Sequence, residues 1–171
     1  REVKSSWSTI RVDNPNPNLV WGAAYWQYFE DLDKIQSFKK TPLTIVKQLF
    51  REDNTPTGPV LTPLPEGSRL KPGDKLKVRI EIRVDRAMES VHLKDMRASG
   101  FEPVNVLSGY RWQDGLGYYE STKDLATHFF IDYLPRGTYV FEYPLVANHR
   151  GDFSNGITTI QCMYAPEFTS H

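Results

Sequence analysis

The stretch Asp74-Lys-Leu-Lys-Val-Arg-Ile-Glu-Ile-Arg-Val-Asp85 alternates apolar and charged residues without a break. A period of two places all apolar side chains on one face of a β-strand and all charges on the other. Strands with one buried and one solvated face are typical of antiparallel sheets, because parallel sheets are covered on both faces. The stretch therefore predicts a strand of a soluble antiparallel β-sandwich. Its predicted core residues are Leu76, Val78, Ile80, Ile82 and Val84.

Turn and strand signals along the rest of the chain favour the same fold class. Alternation predicts strands at residues 7–12, 44–52 and 88–97. The aromatic stretch 19–29 and the closing stretch 156–164 are also predicted strands, and residues 127–134 and 138–146 a hairpin. Residues 56–67 are rich in proline and are predicted to be an edge segment or loop. Residues 99–124 are predicted to be a long aromatic loop with a functional role. About seven to nine strands with little helix indicate an all-β sandwich.

The composition is that of a single globular domain, or of one domain with part of another, and it narrows the possible partners. The chain has 171 residues, of which 21 are basic and 21 acidic, so the net charge favours neither nucleic acid nor an anionic membrane. No apolar stretch approaches the ~20 residues of a membrane helix, and the N-terminal residues do not have the apolar core of a signal peptide. A solvated charged run before residue 41 predicts a domain boundary there.

Residues that carry chemistry do not form a recognised motif. The four histidines lack metal-ligand spacing; they are His92, His128, His149 and His171. Cys162 lies in an apolar run and is predicted to be a small buried side chain rather than a reactive thiol. We therefore predict no catalytic residue, no metal site and no cofactor. A hydrolase would need convergent carboxylates, and the candidates are Asp95, Asp114 and Glu120.

The aromatic residues allow two interpretations. Several of them could form a stacking platform for sugar rings on a sandwich face, and these are Trp21, Trp26, Tyr110, Trp112, Tyr118 and Tyr119. The favoured alternative is that they fill the core and its interfaces. A carbohydrate-binding module is thus the second functional hypothesis.

Four blocks of the chain are similar, in their order, to the C-terminus of the bacterial alpha-2-macroglobulin family. They are residues 21–35, 114–123, 133–143 and 162–168, and the ending Met163-Tyr-Ala-Pro-Glu167 is the most specific. The resemblance is to the last macroglobulin-like domain, MG10, and implies a fibronectin-like antiparallel sandwich. It assigns residues 41–171 to that domain and residues 1–40 to strands and a linker that follow a thioester domain.

The resemblance also implies a function. The parent proteins are large proteins of the periplasm or cell envelope, in many cases lipoproteins, that bait proteases and trap them, sometimes covalently through a Cys-Gln thioester. No glutamine stands three residues after Cys162, so this chain carries no such thioester. The expected function is that of a non-catalytic endopeptidase-inhibitor domain, which packs against the thioester domain of its parent and meets target proteases through that parent.

The same resemblance implies which residues face the thioester domain. In thioester-bearing relatives a Met-Tyr pair covers the reactive bond, and the matching residues here are Met163 and Tyr164. We expect Trp112, Tyr118 and Tyr119, in the predicted long loop, to belong to the same surface. The alternative is that Met163 and Tyr164 simply end a strand.

Overall fold

The computed structural model describes residues 9, 11–22, 27, 29–31, 34–39 and 41–171. Within them the chain forms two antiparallel sheets that pack face to face. The strands are β1 (Leu43–Thr55), β2 (Gly58–Pro63), β3 (Lys75–Val84), β4 (Met88–Met96), β5 (Phe101–Pro103), β6 (Gly109–Gln113), β7 (Leu116–Thr122), β8 (Ala126–Leu134), β9 (Gly137–Ala147), β10 (Thr158–Cys162) and β11 (Ala165–Ser170). One sheet has the order β2-β1-β3-β9-β5 and the other β11-β10-β4-β8-β7-β6.

Strand β3 lies at the centre of the five-stranded sheet and confirms the alternation from which the fold was predicted. Its five apolar residues are buried, and Val78, Ile80 and Ile82 are fully inaccessible to solvent. The intervening charged residues face outward, where Arg79 pairs with Glu142 of β9 at 2.6 Å. The all-β sandwich is therefore the observed fold.

The strand predictions for residues 44–52, 88–97 and 127–146 are confirmed, and the edge segment before residue 67 forms β2. The prediction that residues 156–164 form the last strand is correct only for β10, because β10 ends at Cys162 and β11 follows it. The prediction that residues 99–124 form one long loop is wrong. This segment contains β5 and the hairpin of β6 and β7, which extends the six-stranded sheet.

The turn of this hairpin explains why the segment forms strands. Asp114 and Gly115 both have positive φ, 50° and 73°, and connect paired residues Gln113 and Leu116. Two consecutive positive φ values are typical of a type I′ turn, whose twist matches that of a β-hairpin and which Asp-Gly favours. The Asp-Gly signal thus indicated a hairpin that the glycine-rich composition obscured.

Tyr118 lies in the core rather than on the surface. It has 2% of its surface exposed, and its ring contacts Phe129 and Phe141 between the two sheets. The neighbouring residue Tyr119 points to the opposite, outer face, because successive strand residues alternate in direction. The expectation that Tyr118 is an exposed aromatic is therefore wrong.

The N-terminal segment is described only in part. Part of the predicted strands 7–12 and 19–29 lies outside the described residues, as does Trp26; Leu19, Val20 and Trp21 are described, are exposed and belong to no strand. Phe38 exchanges two backbone hydrogen bonds with His171, at 2.8 and 3.2 Å, and so continues the sheet beyond β11. No helix in the described parts of the chain has the length and apolar character to cross a bilayer.

Candidate functional site

The Met163-Tyr164 pair forms the turn between β10 and β11. Cys162 pairs with Ala165 in these strands, so the two residues alone connect them. Met163 is 55% exposed and Tyr164 is 86% exposed. A large aromatic side chain is thus presented at the tip of a hairpin: Met163 and Tyr164 do follow the end of a strand, but Tyr164 is exposed rather than packed into the core.

Neighbouring contacts hold this turn in place. The Met163 amide donates a hydrogen bond to the Ser90 carbonyl at 2.9 Å, and the buried Cys162 thiol donates to the Glu89 carbonyl at 3.3 Å. Ser90 has a φ of 54°, uncommon for a residue other than glycine, asparagine or aspartate. Cys162 is a small buried side chain, as predicted, and anchors the base of the turn.

Trp112 and Tyr119 lie on the outer face of the six-stranded sheet. Trp112 is largely exposed, and its indole lies against Gly117 of the neighbouring strand, where an added Cβ would be 2.7 Å from two ring carbons. Tyr119 packs edge to face against Tyr110, with 5.2 Å between ring centroids. The absence of a side chain at Gly117 therefore lets the indole lie on the sheet surface.

Both groups of predicted site residues lie toward the same end of the six-stranded sheet. The pairing of β10 with β4, β4 with β8 and β8 with β7 brings the end of β10 and the start of β7 to that end. Three inter-strand spacings, roughly 14 Å, separate β10 from β7, which carries Tyr119, and four, roughly 19 Å, separate it from β6, which carries Trp112. Met163, Tyr164, Trp112 and Tyr119 thus border one continuous region.

Ring side chains fill the outer face between these two groups. Tyr119 is opposite Phe130, and Phe130 is opposite His92. The rings of Phe130 and His92 stack, with 4.7 Å between their centroids. His92 Nε2 lies 2.9 Å from His128 Nδ1, and the two ring planes differ by only 2°. Since the centroid separation of 5.1 Å equals this distance plus one ring radius on each side, the imidazoles meet edge to edge and share one N–H···N hydrogen bond.

Burial lowers the pKa of both histidines. The pKa of His92 is lowered further by the positive charges of His128 and Lys94. The pKa of His128 is lowered further by the positive charges of Lys94 and Lys123. One of the facing nitrogens must be unprotonated to accept the hydrogen bond. The pair therefore favours neutral rings near neutral pH.

The carboxylates proposed for a hydrolase have separate surroundings. Asp95 is buried between the sheets, where Lys47, Tyr143 and Thr158 donate to it. Asp114 lies in the hairpin turn and accepts a hydrogen bond from the Val140 amide at 2.8 Å. Glu120 is buried with Arg111 at 3.6 Å, and burial raises its pKa.

These three carboxylates therefore have structural partners rather than a shared cleft. Within residues 41–171 and the shorter described segments, no group of three or more His, Cys, Asp or Glu side chains could hold a metal ion.

The sequence alone did not predict one polar contact between the sheets, although each of its two residues is a charged residue on the apolar face of its strand. Asp95 falls on the apolar side of β4, and Lys47 shares a face of β1 with Ile45 and Leu49. Lys47 Nζ lies 2.6 Å from Asp95 Oδ1 and 2.9 Å from the Met96 carbonyl oxygen. Each residue breaks the pattern of its own strand because it pairs with the other.

This geometry defines a class of protein, a two-sheet antiparallel β-sandwich that presents an exposed turn and an aromatic sheet face. The chain belongs to the bacterial alpha-2-macroglobulin MG10 domain family, whose model matches residues 43–167. Bacterial alpha-2-macroglobulins are protease inhibitors rather than enzymes.

Solved structures of bacterial alpha-2-macroglobulins share the fold. Salmonella alpha-2-macroglobulin reacted with methylamine is similar with a TM-score of 0.60 and 15% identity, over 80% of this chain and 9% of that one. Trypsin-activated Escherichia coli alpha-2-macroglobulin is similar with a TM-score of 0.57 and 11% identity, over 77% of this chain and 10% of that one. The Escherichia coli protein activated by porcine elastase is similar with a TM-score of 0.60 and 13% identity, over 78% of this chain and 12% of that one. A comparison with curated proteins gave no match.

Proposed function

We propose that this chain is the non-catalytic C-terminal domain of a bacterial alpha-2-macroglobulin-like endopeptidase inhibitor, and that its Met163-Tyr164 turn covers a thioester on a neighbouring domain. The observation that carries the proposal is the exposure of Tyr164 at a turn fixed by Ser90 and Cys162. A side chain held outward in this way is suited to contact a partner. In the proposed parent, residues 1–40 connect the thioester domain to the sandwich of residues 41–171.

The chemistry of the two turn residues supports a shielding role. Methionine is flexible and apolar, so it fills irregular gaps, and tyrosine covers a large area with a rigid ring. Together they would exclude water and amines from an ester-like bond beneath them. Hydrolysis of a thioester requires attack by water, so exclusion of water preserves the bond.

Trp112 and Tyr119 extend the proposed contact across the sheet. They lie at the same end as the turn, and a standard interface buries about 800 Å² on each partner, wide enough to include both groups. Tyr118 takes no direct part because it is buried, but its hydroxyl accepts a hydrogen bond from Gln113 at 2.9 Å and thereby supports the hairpin that carries Trp112.

The relatives support the wider context of this proposal. One of the similar Salmonella structures is a protein reacted with methylamine, and the Escherichia coli proteins were activated by trypsin and by elastase. By analogy, we propose that target proteases meet this domain through a parent protein in the periplasm or cell envelope, anchored as a lipoprotein.

The test is aminolysis in the full-length parent, provided that it carries a thioester. Tyr164→Ala should accelerate the reaction with methylamine by at least tenfold, measured as the release of the free thiol. Tyr110→Ala is the matched control, because it removes a similarly exposed tyrosine from another strand. Thermal melts of both variants should show that the domain stays folded. An unchanged rate in a folded Tyr164→Ala protein would refute the shielding role.

One observation favours carbohydrate binding as a second candidate function. The Trp112 indole lies on Gly117 and turns its other side to solvent, beside Tyr110 and Tyr119. Flat exposed rings of this kind stack on pyranose faces. Binding on a glycan array that disappears with Trp112→Ala would support this function, and no binding to any glycan would exclude it.

A further inference from the structure

The four outer edges of the two sheets are protected to different degrees. An unpaired edge strand offers a row of free backbone N–H and C=O groups, and proteins usually block it with proline, short strands, charged side chains or covering segments. Strand β2 contains Pro59 and Pro63, and β5 has only three residues. Strand β11 contains Pro166, its Thr169 carbonyl accepts a hydrogen bond from the Thr41 hydroxyl, and Phe38 pairs with His171 directly after the strand.

The part of β9 that extends past β5 is also blocked, and the blocking groups come from the β6–β7 hairpin. The Gln113 side chain accepts from the Glu142 amide at 2.9 Å and donates to the Glu142 carbonyl at 3.0 Å. Asp114 accepts from the Val140 amide at 2.8 Å. These side chains occupy the positions that another strand would take beside β9.

In the part of the chain that the structure describes, the charged side chain of Arg111 is the one such protection on strand β6. It is the outermost strand of its sheet, with the sequence Gly-Tyr-Arg-Trp-Gln, and contains neither proline nor lysine. Gln113 and Leu116 close a two-residue turn, so Gln113, Arg111 and Gly109 exchange backbone hydrogen bonds with β7. The N–H and C=O groups of Tyr110 and Trp112 therefore point away from the sheet. None of the described residues outside β7 makes a backbone hydrogen bond to them.

The side chains of β6 indicate what an added strand would contain. Tyr110 and Trp112 lie on the outer face and are 76% and 74% exposed, so they would cover apolar side chains opposite them. Arg111 points to the inner face with 41% of its side chain exposed and pairs with the buried Glu120 carboxylate at 3.6 Å. A guanidinium has five N–H donors, so an acidic residue opposite Arg111 could share it with Glu120, whereas a basic residue there would be repelled. A second copy of β6 paired about Arg111 would place two arginines opposite each other, which is unfavourable.

We propose that the free edge of β6 binds an extended peptide strand in which an acidic residue lies between two apolar residues. The strand adds to the six-stranded sheet in antiparallel orientation. Its two apolar residues hydrogen-bond to the backbone of Tyr110 and Trp112 and lie against their rings, while the acidic residue pairs with Arg111. Backbone bonds supply affinity and the alternate side chains supply specificity, as in other cases of strand addition. This site does not include the Met163-Tyr164 turn, but it shares Trp112 with the thioester-domain contact proposed above.

The probe is the peptide acetyl-Thr-Val-Glu-Val-Thr-amide, titrated into the whole 171-residue chain. We expect saturable shifts of the Tyr110 and Trp112 amide signals in nitrogen–proton correlation spectra. Methylation of both valine nitrogens should weaken binding at least tenfold, because these N–H groups face β6. Methylation of the glutamate nitrogen is the matched control and should change affinity less than threefold, because that N–H faces solvent.

Two further measurements test the charge of the peptide and the self-association of the chain. Exchange of the central glutamate for lysine should weaken binding at least fivefold to the unmodified chain and less than twofold to Arg111→Gln. Equal effects of the two methylation patterns, or no shift at Tyr110 and Trp112 at millimolar peptide, would overturn the proposal. A concentration-dependent dimer that Trp112→Pro abolishes, seen by sedimentation without peptide, would also overturn it in favour of a second copy. Because no thioester is present in this experiment, its outcome does not depend on the shielding role.

Discussion

Lys47 and Asp95 connect the two sheets through an ion pair between β1 and β4, with 2.6 Å between Lys47 Nζ and Asp95 Oδ1. The carboxylate is fully buried and also accepts hydrogen bonds from the hydroxyls of Tyr143 and Thr158. Strands β9 and β10 thus contribute to the same cluster. A buried charge is tolerated only where several donors surround it, and these three provide that environment.

Asp95→Ala should strongly destabilise the domain, because it leaves the Lys47 ammonium without its carboxylate partner and the Tyr143 hydroxyl without its acceptor. The expected loss in the free energy of unfolding is about 3–5 kcal/mol, measured by urea denaturation. Asp53→Ala is the control: its pair with Arg51 is exposed, so its loss should stay below about 1 kcal/mol. Similar losses for both variants would contradict the importance of the buried pair.

Ile80→Ala should remove packing from the centre of β3. Ile80 is fully buried, so truncation leaves a cavity and should lower the free energy of unfolding by about 2–5 kcal/mol. Lys77→Ala on the opposite face of the same strand loses a partly exposed ion pair with Glu52, worth about 1 kcal/mol or less. Denaturant melts that give equal losses for the two variants would show that the environment of β3 is wrongly assigned.

The His92–His128 pair should reduce stability in acid. Burial lowers the pKa of both rings below the ordinary value of 6.5, so the unfolded chain binds protons more readily. Their contribution is therefore present above about pH 6.5 and is lost as the pH falls through the lowered pKa values. Burial raises the pKa of Glu120, so this residue lowers the stability as the pH rises rather than as it falls.

The measurement is a series of urea melts between pH values of about 5 and 7.5. The double variant His92→Gln, His128→Gln removes both rings, so its stability should depend less on pH than that of the unmodified chain. Identical slopes for the two proteins would rule out the pair as the source of acid sensitivity.

Gly117→Ala should displace the Trp112 indole. The added methyl group would lie 2.7 Å from two ring carbons, so the ring must lift from the sheet, at a cost of about 1–3 kcal/mol in the free energy of unfolding. In a Trp112→Ala background the same change should cost less, with a coupling energy of at least about 0.5 kcal/mol.

Gly109→Ala is the control for this experiment. Gly109 lies in the same hairpin, and no atom is within 4 Å of the position of an added Cβ. Its substitution should change stability little. Additive effects of Gly117→Ala and Trp112→Ala would show that the indole does not rest on Gly117.

The alternation of residues 74–85 predicted the buried face of β3 correctly, and hairpin signals around residue 136 located β8 and β9. The hairpin of β6 and β7 was missed, because glycine and exposed aromatics are also typical of loops. Similarity to the MG10 domain pointed to Met163 and Tyr164, whereas their place on a two-residue turn followed only from the pairing of β10 with β11.

The sequence by itself determined the strand type and most of the buried faces, because alternation of side chains is a local property of an extended backbone. Only the tertiary structure decided which residues meet across the two sheets. Lys47 and Asp95 are 48 residues apart, and each is merely an irregularity in its own strand until the sheets pack. The register of β7 likewise decided that Tyr118 enters the core while Tyr119 faces outward, because a shift of one residue reverses both directions.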